Sequence, residues 1–406
     1  MLINRELYMN KIRPFIGNRK LKILTGIRRS GKSSILELIK KELKEKNTDT
    51  NQFLSLDFED MRYAELCNGE NLYKKLLTWN KETSDLVYFF LDEIQNVQNW
   101  ESCIASILSE RKCDIYITAS SMSVFSPELD MLLKKDYHTF MIYPFSFQEF
   151  SQLYLASFPE TSSKEIFTKY LFFGGIPYLE KYRFENELCT RSLRDLSIII
   201  QLKDILSNSK VRDVRFLETI IRYLFANAGI SFTATSLSKY FKENKRIVSA
   251  EKILQYLTYC EKSFLFYRIH RRDIGSMKQL TTGDKFYPAD HGMREACLQA
   301  NNIKSIHTAL ENIVFIELLR REYHVTSGTS PTKTIDFIAE KGKEKIYIQV
   351  NYLLTSSEAL NREIRSFSGL KDHYPKYIVT LDEANLSTNG IRHKNIRDFL
   401  LMKEWM

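Results

Sequence analysis

The sequence predicts a multidomain α/β protein, and three observations along its 406 residues lead to this class. Short apolar segments alternate with helical patterns up to about residue 150, which is typical of a mainly parallel sheet. Helical periodicity dominates from there to about residue 228, and the last hundred residues return to mixed strands and helices. At roughly 100–200 residues per domain, we expect about two to four domains.

The composition is that of a globular protein with an excess of positive charge. Hydrophobic residues make up 44% of the chain and aromatic residues 13%, which is enough for sizeable buried cores. The formal net charge of +9 favours polyanionic partners, with nucleic acid ahead of acidic membranes. A lysine-rich surface that is simply solvated explains the same charge, and both explanations stay open.

The cysteines and the apolar segments bear on the cellular compartment. The six cysteines stand singly, without the spacing of a zinc or redox site, which favours free thiols in a reducing compartment. No apolar run approaches the roughly 20 residues that span a bilayer, and the charged N-terminal segment lacks an apolar signal core. We therefore expect a cytoplasmic protein without membrane association.

A core domain is expected over residues 1–150, because five of its segments have the character of strands and several of these are continuous apolar runs, as expected for strands buried on both faces. Helical patterns lie between these segments, which favours parallel pairing. The five expected strands are residues 20–26, 53–58, 86–92, 113–120 and 138–145.

The turn after the first strand matches the P-loop pattern in full, as GIRRSGKS from Gly26 to Ser33. Its two glycines allow backbone N–H groups to wrap phosphates, and the next helix points its positive dipole end at them. Lys32 is expected to reach the β- and γ-phosphates, and Ser33 to coordinate Mg²⁺. We therefore expect ATP and Mg²⁺ as ligands. The expected nucleotide contacts are Gly26, Arg28, Arg29, Ser30, Gly31, Lys32, Ser33 and Ser34 of this loop, and Asp92 of the next motif.

Two adjacent carboxylates end the buried segment 87–91, about sixty residues after the P-loop. Asp92 is expected to meet Mg²⁺, directly or through water, and Glu93 to polarise the attacking water. Ser120, at the end of the following strand, could touch the γ-phosphate or this water, or could be a solvated strand end. The expected catalytic residues are therefore Lys32, Glu93 and Ser120, and the expected metal ligands are Ser33 and Asp92.

The middle of the chain predicts two helical modules. Residues 151–228 indicate a lid-like helical segment that contains the breaker Gly174-Gly175-Ile176-Pro177. Residues 229–300 follow the order helix, turn, helix, strand, with the strand over 264–272, which is typical of a winged helix. Its basic residues could track the phosphates of duplex DNA, or could form the solvated rim of a protein-docking module. They are Lys242, Lys245, Arg246, Arg268, Arg271 and Arg272.

Several motifs together carry a resemblance to a known family: GIRRSGKSS, LDEIQNVQNW, ITASS, YPFSFQEF and GGIP. The chain resembles AAA+-related ATPases of the additional-strand class, in which a strand lies between the P-loop strand and the Walker B strand. More closely, it is similar to a prokaryotic family that joins this ATPase core to a winged helix and a C-terminal domain of unknown function. The resemblance implies that the chain binds and hydrolyses ATP. That family usually has an arginine where this chain has Asp136, and the loss of an arginine finger implies slower hydrolysis.

Residues 301–406 follow the layout of the restriction-endonuclease fold and resemble the PD-(D/E)xK pattern, in which acids and a lysine gather Mg²⁺. Glu311 and Asp336 are present, but Gln349 and Asn351 stand where a glutamate and a lysine belong. An uncharged amide is a poor Mg²⁺ ligand and cannot replace an ammonium group. We expect an α/β domain in this degenerate form, without nuclease activity.

Three functions remain open from the sequence. In the first, the ATP state controls how the winged helix and the C-terminal domain hold DNA. In the second, the protein is a slow ATP-dependent switch or scaffold that docks partner proteins or associates with itself. In the third, which the substitutions Gln349 and Asn351 disfavour, ATP gates a nuclease.

Overall fold

The structure is a computed structural model that describes residues 2–79, 85–110, 112–207, 211–281, 283–298, 303–370 and 372–405. The chain forms two compact units. The first consists of Met1–Tyr143 with Lys262–Phe264, and the second of Pro144–Glu261 with Leu265–Met406. The finer division into four domains stays a prediction, and its boundary at 300/301 lies outside the described residues.

Five parallel strands form the sheet of the first unit, in the order β2-β3-β4-β1-β5. They are β1 (Leu21–Thr25), β2 (Phe53–Asp57), β3 (Val87–Asp92), β4 (Cys113–Ala119) and β5 (Tyr137–Met141). The α-helices of this unit are α1 (Glu6–Ile12), α2 (Lys32–Glu45), α3 (Gly69–Thr78), α4 (Trp100–Glu110) and α5 (Pro127–Leu133). The five predicted strands are confirmed, although β5 ends at Met141 and not at residue 145. Because β4 lies between β1 and β3, the sheet has the additional strand that the resemblance implied.

Apolar side chains cover both faces of this sheet, which explains why its inner strands β1, β3 and β4 are buried along almost their whole length. Successive residues point to opposite faces. Ile23 and Ile117 belong to the core cluster that includes residues of α3 and α4. Leu24 and Tyr116 belong to the cluster on the other side, with residues of α1 and α2.

The carboxyl ends of the strands lie level with one another. Thr25 at the end of β1 is in register with Ala119 of β4 and Met141 of β5. Asp57 at the end of β2 is in register with Asp92 of β3. Side chains that follow different strands therefore meet at one edge of the sheet, which is where ligands bind in folds of this kind.

A buried ion pair lies within the same sheet. Lys22 of β1 and Asp114 of β4 have no exposed surface, and the Lys22 ammonium donates to the Asp114 carboxylate. The hydroxyl of Tyr116 (2.8 Å) and the backbone N–H of Gly17 (2.7 Å) donate to the same carboxylate. Since all these groups are satisfied, the pair is compatible with burial.

The second unit begins with helices and ends with a mixed sheet. Its α-helices are α6 (Phe147–Ser157), α7 (Ser163–Phe173), α8 (Asn186–Ile199), α9 (Val214–Ala226), α10 (Ala234–Glu243), α11 (Ala250–Lys262), α12 (His291–Leu298), α13 (Ile303–Arg320), α14 (Ser357–Ser366) and α15 (Ile396–Leu401). Its strands are β6 (Phe266–Ile269), β7 (Arg271–Asp273), β8 (Lys285–Pro288), β9 (His324–Thr329), β10 (Thr334–Lys341), β11 (Glu344–Val350), β12 (Lys376–Thr380) and β13 (Ile391–Asn395). Six of the strands form a sheet in the order β13-β12-β11-β10-β9-β7, and β6 pairs with β8 in a separate two-stranded sheet.

The single strand that we predicted over residues 264–272 is wrong in one respect. The segment forms two strands, because β6 pairs with β8 whereas β7 joins the larger sheet beside β9. Arg272 of β7 forms an ion pair with Glu340 of β10 (2.8 Å), and Arg271 donates a hydrogen bond to Thr329 (3.0 Å). These distant partners direct the second half of the segment to another sheet, which the local apolar pattern could not indicate.

Among the described residues, no helix combines the length and the apolar character that crossing a bilayer requires.

Candidate nucleotide site

The loop between β1 and α2 follows a path that requires its glycines. Gly26 has a φ of 144°, and a Cβ atom there would lie 2.2 Å from the backbone oxygen of Ile142. Gly31 has a φ of 97° and is the N-cap residue of α2. The loop therefore passes directly into the N-terminus of a 14-residue helix, where unpaired backbone N–H groups favour an anion.

Lys32, the first residue of α2, is buried against its own loop. Its Nζ atom donates to the backbone oxygens of Gly26 (3.1 Å) and Ile27 (3.3 Å). The same atom lies 3.3 Å from Oε1 of Glu93. The structure thus brings the expected phosphate-binding lysine and the expected catalytic carboxylate into direct contact.

Asp92 and Glu93 are held at the end of β3 by the neighbouring strand. The hydroxyl of Thr118 on β4 donates to the Asp92 carboxylate and accepts the backbone N–H of Glu93 at 2.8 Å. Burial raises the pKa of Asp92, and hydrogen bonds from Ser33 and Thr118 act in the opposite direction. Thr118 lies in the same polar strand end as Ser120.

The donors around Asp92 fit a magnesium ion. The Ser33 hydroxyl and the Asp92 carboxylate are hydrogen-bonded to each other, so two oxygen ligands of the type that Mg²⁺ prefers lie side by side. Within the described ranges no group of three or more His, Cys, Asp or Glu side chains could hold a metal ion. A site with few protein ligands suits Mg²⁺ that is bound together with phosphate oxygens.

The carboxylate of Glu93 is surrounded by donors and cations. Ser120 donates to its Oε2 atom at 2.6 Å, and Nη2 of Arg28 lies 4.0 Å from that atom. Burial tends to raise the pKa of Glu93, but Lys32 and Arg28, with hydrogen bonds from Ser120 and Gln95, lower it to about 2. Glu93 is therefore ionised at neutral pH and well placed to orient a polar group.

Three further residues at the site were not expected from the sequence. Gln95, two places after Glu93, donates to Oε2 of Glu93 (2.5 Å) and to Oγ of Ser120 (3.2 Å). Glu59, which follows β2, accepts a hydrogen bond from Nη1 of Arg28 at 2.6 Å. Arg5, just before α1, donates a hydrogen bond to the backbone oxygen of Ser30 in the loop at 2.8 Å. Only the position of Gln95 in the acidic motif could have pointed to it.

The remaining loop residues differ in burial. Ser33 is exposed, and Arg29 and Ser34 are half-buried. Ser30 is fully buried, and its Oγ atom has no hydrogen-bond partner among the described residues. A buried hydroxyl of this kind is costly unless it finds a partner, which fits a loop that receives phosphate oxygens.

Two parts of the chain match known protein families. Residues 18–151 match the AAA domain family, and residues 164–304 match a domain of unknown function. An uncharacterized protein of Haemophilus influenzae is 30% identical over 379 residues, which cover 93% of each chain. The chain belongs to the family of this Haemophilus protein. An uncharacterized protein of Methanocaldococcus jannaschii is 28% identical, over 95% of this chain and 84% of its own length.

A solved structure supports the fold of the AAA domain. A Walker-type ATPase of Pyrococcus abyssi superposes with a TM-score of 0.50 and 16% identity, covering 72% of this chain and 95% of its own. At this identity the similarity concerns the fold alone. The AAA domain thus has the fold of the P-loop ATPases.

Outside the AAA domain, the structure gives most of the six expected DNA-binding cations partners within the second unit. Arg246 forms an ion pair with Asp213 (2.8 Å), and Arg268 donates to Asp284 (2.7 Å). Arg271 and Arg272 hold β7 in its sheet, as described above. Lys242 and Lys245 are exposed. Four of the six side chains are therefore already engaged in internal contacts.

The expected degenerate nuclease residues form a buried polar cluster. The Oε1 atom of Gln349 accepts a hydrogen bond from the backbone N–H of Asp336 (3.2 Å). The hydroxyl of Tyr287 donates to the Glu311 carboxylate (2.9 Å). Burial and the charge of Glu311 raise the pKa of Asp336 to about 6. Asn351 instead donates to Glu363 at 3.0 Å. The side chains at positions 349 and 351 thus make structural hydrogen bonds.

Proposed function

We propose that this protein binds ATP with Mg²⁺ in the loop from Gly26 to Ser33 and hydrolyses it slowly. One observation carries the proposal: Lys32 of the loop lies 3.3 Å from Glu93, at the edge where Ser33 meets Asp92. A phosphate-binding lysine, a magnesium-type oxygen pair and a catalytic carboxylate are thereby within reach of one ligand. The AAA domain match and the P-loop fold support the same activity.

Each residue has a role that follows from its contacts. The backbone N–H groups of the loop and the Lys32 ammonium would bind the phosphates, and Ser33 and Asp92 would hold Mg²⁺. The metal would supply positive charge against the phosphate oxygens. Glu93 would orient and polarise the attacking water, while Ser120 and Gln95 fix its carboxylate.

The rate should be low for two reasons. A carboxylate with a pKa of about 2 is a weak base, and Lys32 and Arg28 must first turn towards phosphate before Glu93 becomes more basic. In addition, Asp136 stands where the family that the chain resembles usually has an arginine, and it pairs with Lys20 at 2.5 Å. An acid at that place cannot stabilise phosphoryl charge.

The nucleotide state is proposed to control the modules of the second unit. In this proposal, residues 229–300 act as a winged helix, in which two helices, α10 and α11, precede the antiparallel pair of β6 and β8. Residues 301–406 act as a nuclease-like domain without nuclease activity, since Gln349 and Asn351 replace the charged ligands. Duplex DNA is the first proposed partner.

A protein-docking switch is the second candidate, and a specific observation favours it. Ile247 and Leu254, near and on the proposed recognition helix α11, are 88% and 46% exposed. Four of the six neighbouring cations are engaged within the chain, so apolar surface is at least as prominent there as free positive charge. Exposed apolar residues of this kind suit a protein surface better than a phosphate backbone.

Steady-state ATP hydrolysis with and without duplex DNA tests the proposal. Lys32→Ala should abolish nucleotide binding, and Glu93→Gln should keep binding but lose turnover. Wild-type protein that neither binds nor hydrolyses ATP would refute the proposed function. Turnover that DNA stimulates would support the first partner, whereas turnover that DNA leaves unchanged would favour the docking switch.

A further inference from the structure

Arg28, the third residue of the loop, is buried between two carboxylates. Its side chain is only 8% exposed. Nη1 donates to Oε1 of Glu59 at 2.6 Å, and Nη2 lies 4.0 Å from Oε2 of Glu93. The guanidinium therefore lies beside the same carboxylate that Lys32 contacts, within the phosphate-binding loop.

The position of Glu59 follows from the sheet. Asp57 ends β2 in register with Asp92, so the chain that leaves β2 runs beside the acidic end of β3. The backbone N–H of Glu59 donates to Asp57 at 2.9 Å, which fixes the start of this segment. The Glu59 side chain is 33% exposed and thus stays in contact with water.

The two carboxylates hold Arg28 unequally. Glu93 keeps other donors when Arg28 moves, because Ser120, Gln95 and Lys32 also contact it. Glu59 can be solvated when its partner leaves, because a third of its side chain is exposed. An anion that enters the loop can therefore take the guanidinium from Glu59 at little cost in desolvation.

Arginine suits such a transfer because its planar group binds two oxygens at once. We propose that Arg28 contacts the γ-phosphate of ATP from within the same chain, and that Glu59 is its positioning residue and competes for it. The inference rests on the proposed function and deepens it. Arg28 then distinguishes ATP from ADP and supplies charge stabilisation that Asp136 cannot supply.

The test is equilibrium binding of ADP and of a non-hydrolysable ATP analogue to the full chain. Arg28→Met should lower the affinity for the ATP analogue by at least about tenfold, as expected for the loss of a hydrogen bond to a charged group. The affinity for ADP should change little. Arg28→Lys should recover part of this loss. Glu59→Gln should raise the affinity for the ATP analogue by roughly threefold or more, because the carboxylate that competes for Arg28 is removed. The affinity for ADP should stay unchanged.

Two matched controls lie in the segment that contains Glu59. Arg62→Met removes an arginine whose side chain is 78% exposed and pairs with Asp60, and Glu65→Gln removes an exposed acid. Neither should change the preference for the analogue over ADP. A preference that is unaltered in Arg28→Met, Arg28→Lys and Glu59→Gln overturns the inference while wild-type binding still supports the proposed function. Wild-type protein that binds neither nucleotide overturns both.

The variants also separate kcat from KM. Arg28→Met should lower kcat by roughly tenfold or more, because a transition-state contact is lost. Glu59→Gln should lower KM with little change in kcat, because Glu59 acts only through the ground-state position of Arg28. If Arg28→Met proves unstable, Arg28→Lys and Glu59→Gln keep the inference testable. Wild-type values of kcat and KM in both of these variants would contradict it.

Discussion

Arg5 donates a hydrogen bond from Nη1 to the backbone oxygen of Ser30 at 2.8 Å. It thereby joins the segment before α1 to the phosphate-binding loop, across 25 residues of sequence. Nη2 of the same group donates to the backbone oxygen of Tyr143 (2.8 Å), and the guanidinium lies 4.5 Å from the ring centre of Tyr8. Since the side chain is almost fully buried, Arg5 is a structural support of the loop.

Replacing Arg5 with Met should destabilise the first unit. The backbone oxygens of Ser30 and Tyr143 would remain buried without this donor, at a cost of about 2–4 kcal/mol. Urea unfolding followed by circular dichroism would measure the change. Arg19→Met, at an exposed arginine of the same unit, should be nearly neutral. Equal stability of the two variants would contradict the supporting role.

Replacing Glu93 with Gln should separate ATP binding from hydrolysis. The amide keeps the shape of the side chain but cannot polarise water as a carboxylate does, so kcat should fall by roughly 10²–10⁴. Binding should persist or strengthen, because the ion pair with Lys32 no longer competes with phosphate. Single-turnover hydrolysis and retention of ATP on a desalting column would measure both effects. A variant with wild-type turnover would assign the catalytic role elsewhere.

Breaking the buried ion pair from one side should be costly. Lys22→Met leaves the Asp114 carboxylate buried without its cation. We expect this to lower the free energy of unfolding by about 3–5 kcal/mol. Lys20→Met removes a lysine that is 46% exposed and provides the comparison. Thermal unfolding should show a large decrease in Tm for the first variant alone. A small decrease at Lys22 would mean that Tyr116 and Gly17 suffice to hold the charge.

Asp336 should make the second unit less stable as pH rises. Burial and Glu311 raise its folded-state pKa from 3.8 to about 6, so between these values the folded chain binds more protons than the unfolded chain. Stability is therefore greatest at the acidic end of this window and falls as pH increases through about 6. Asp336→Asn should raise the free energy of unfolding at pH 7.5 by about 1–3 kcal/mol and change it little at pH 4.

Urea titrations of wild type and Asp336→Asn at both pH values provide the measurement. Asp398→Asn, at an exposed acid, is the control and should show no such pH dependence. A loss of stability in Asp336→Asn that is the same at both pH values would indicate that the hydrogen bond to the backbone N–H of Val350 matters more than the buried charge.

Binding to duplex DNA, if it uses the expected basic residues, should depend only weakly on salt. Arg246, Arg268 and Arg272 are paired within the chain, which leaves mainly the exposed Lys242 and Lys245. Two phosphate contacts give a slope of about −2 in a plot of log K against log salt. Replacing both lysines with Ala should remove most of this slope. A wild-type slope steeper than about −4 would show that other cations contribute.

The inner strands β1, β3 and β4 of the first unit could be predicted because burial on both faces makes most of their positions apolar or aromatic. Val87 to Leu91 is an example, since no choice between faces is needed to recognise it. The order of the six-stranded sheet could not be predicted in the same way, because strand partners are distant in sequence. The division of residues 264–272 between two sheets depends on Glu340 and Thr329, which lie far along the chain.

The candidate site shows the same limit. Lys32, Ser33, Asp92 and Glu93 lie in short contiguous motifs whose spacing reflects a fixed geometry, so the sequence points to them. Arg5 and Glu59 act through contacts that only the folded chain forms. Sequence reasoning also grouped cations by proximity alone, whereas the carboxylates that engage them come from other elements.

The level ends of the parallel strands determine which insertions and deletions the AAA domain can tolerate. One residue added within β3 would move Glu93 by about 3.3 Å along the strand and send the side chains beyond it to the opposite face. The pairing of Asp92 with Thr118 and of Glu93 with Lys32 would then be lost together. Length variation among related chains should therefore gather at the amino ends of the strands and in the connections to the helices, and not in the last residues of each strand.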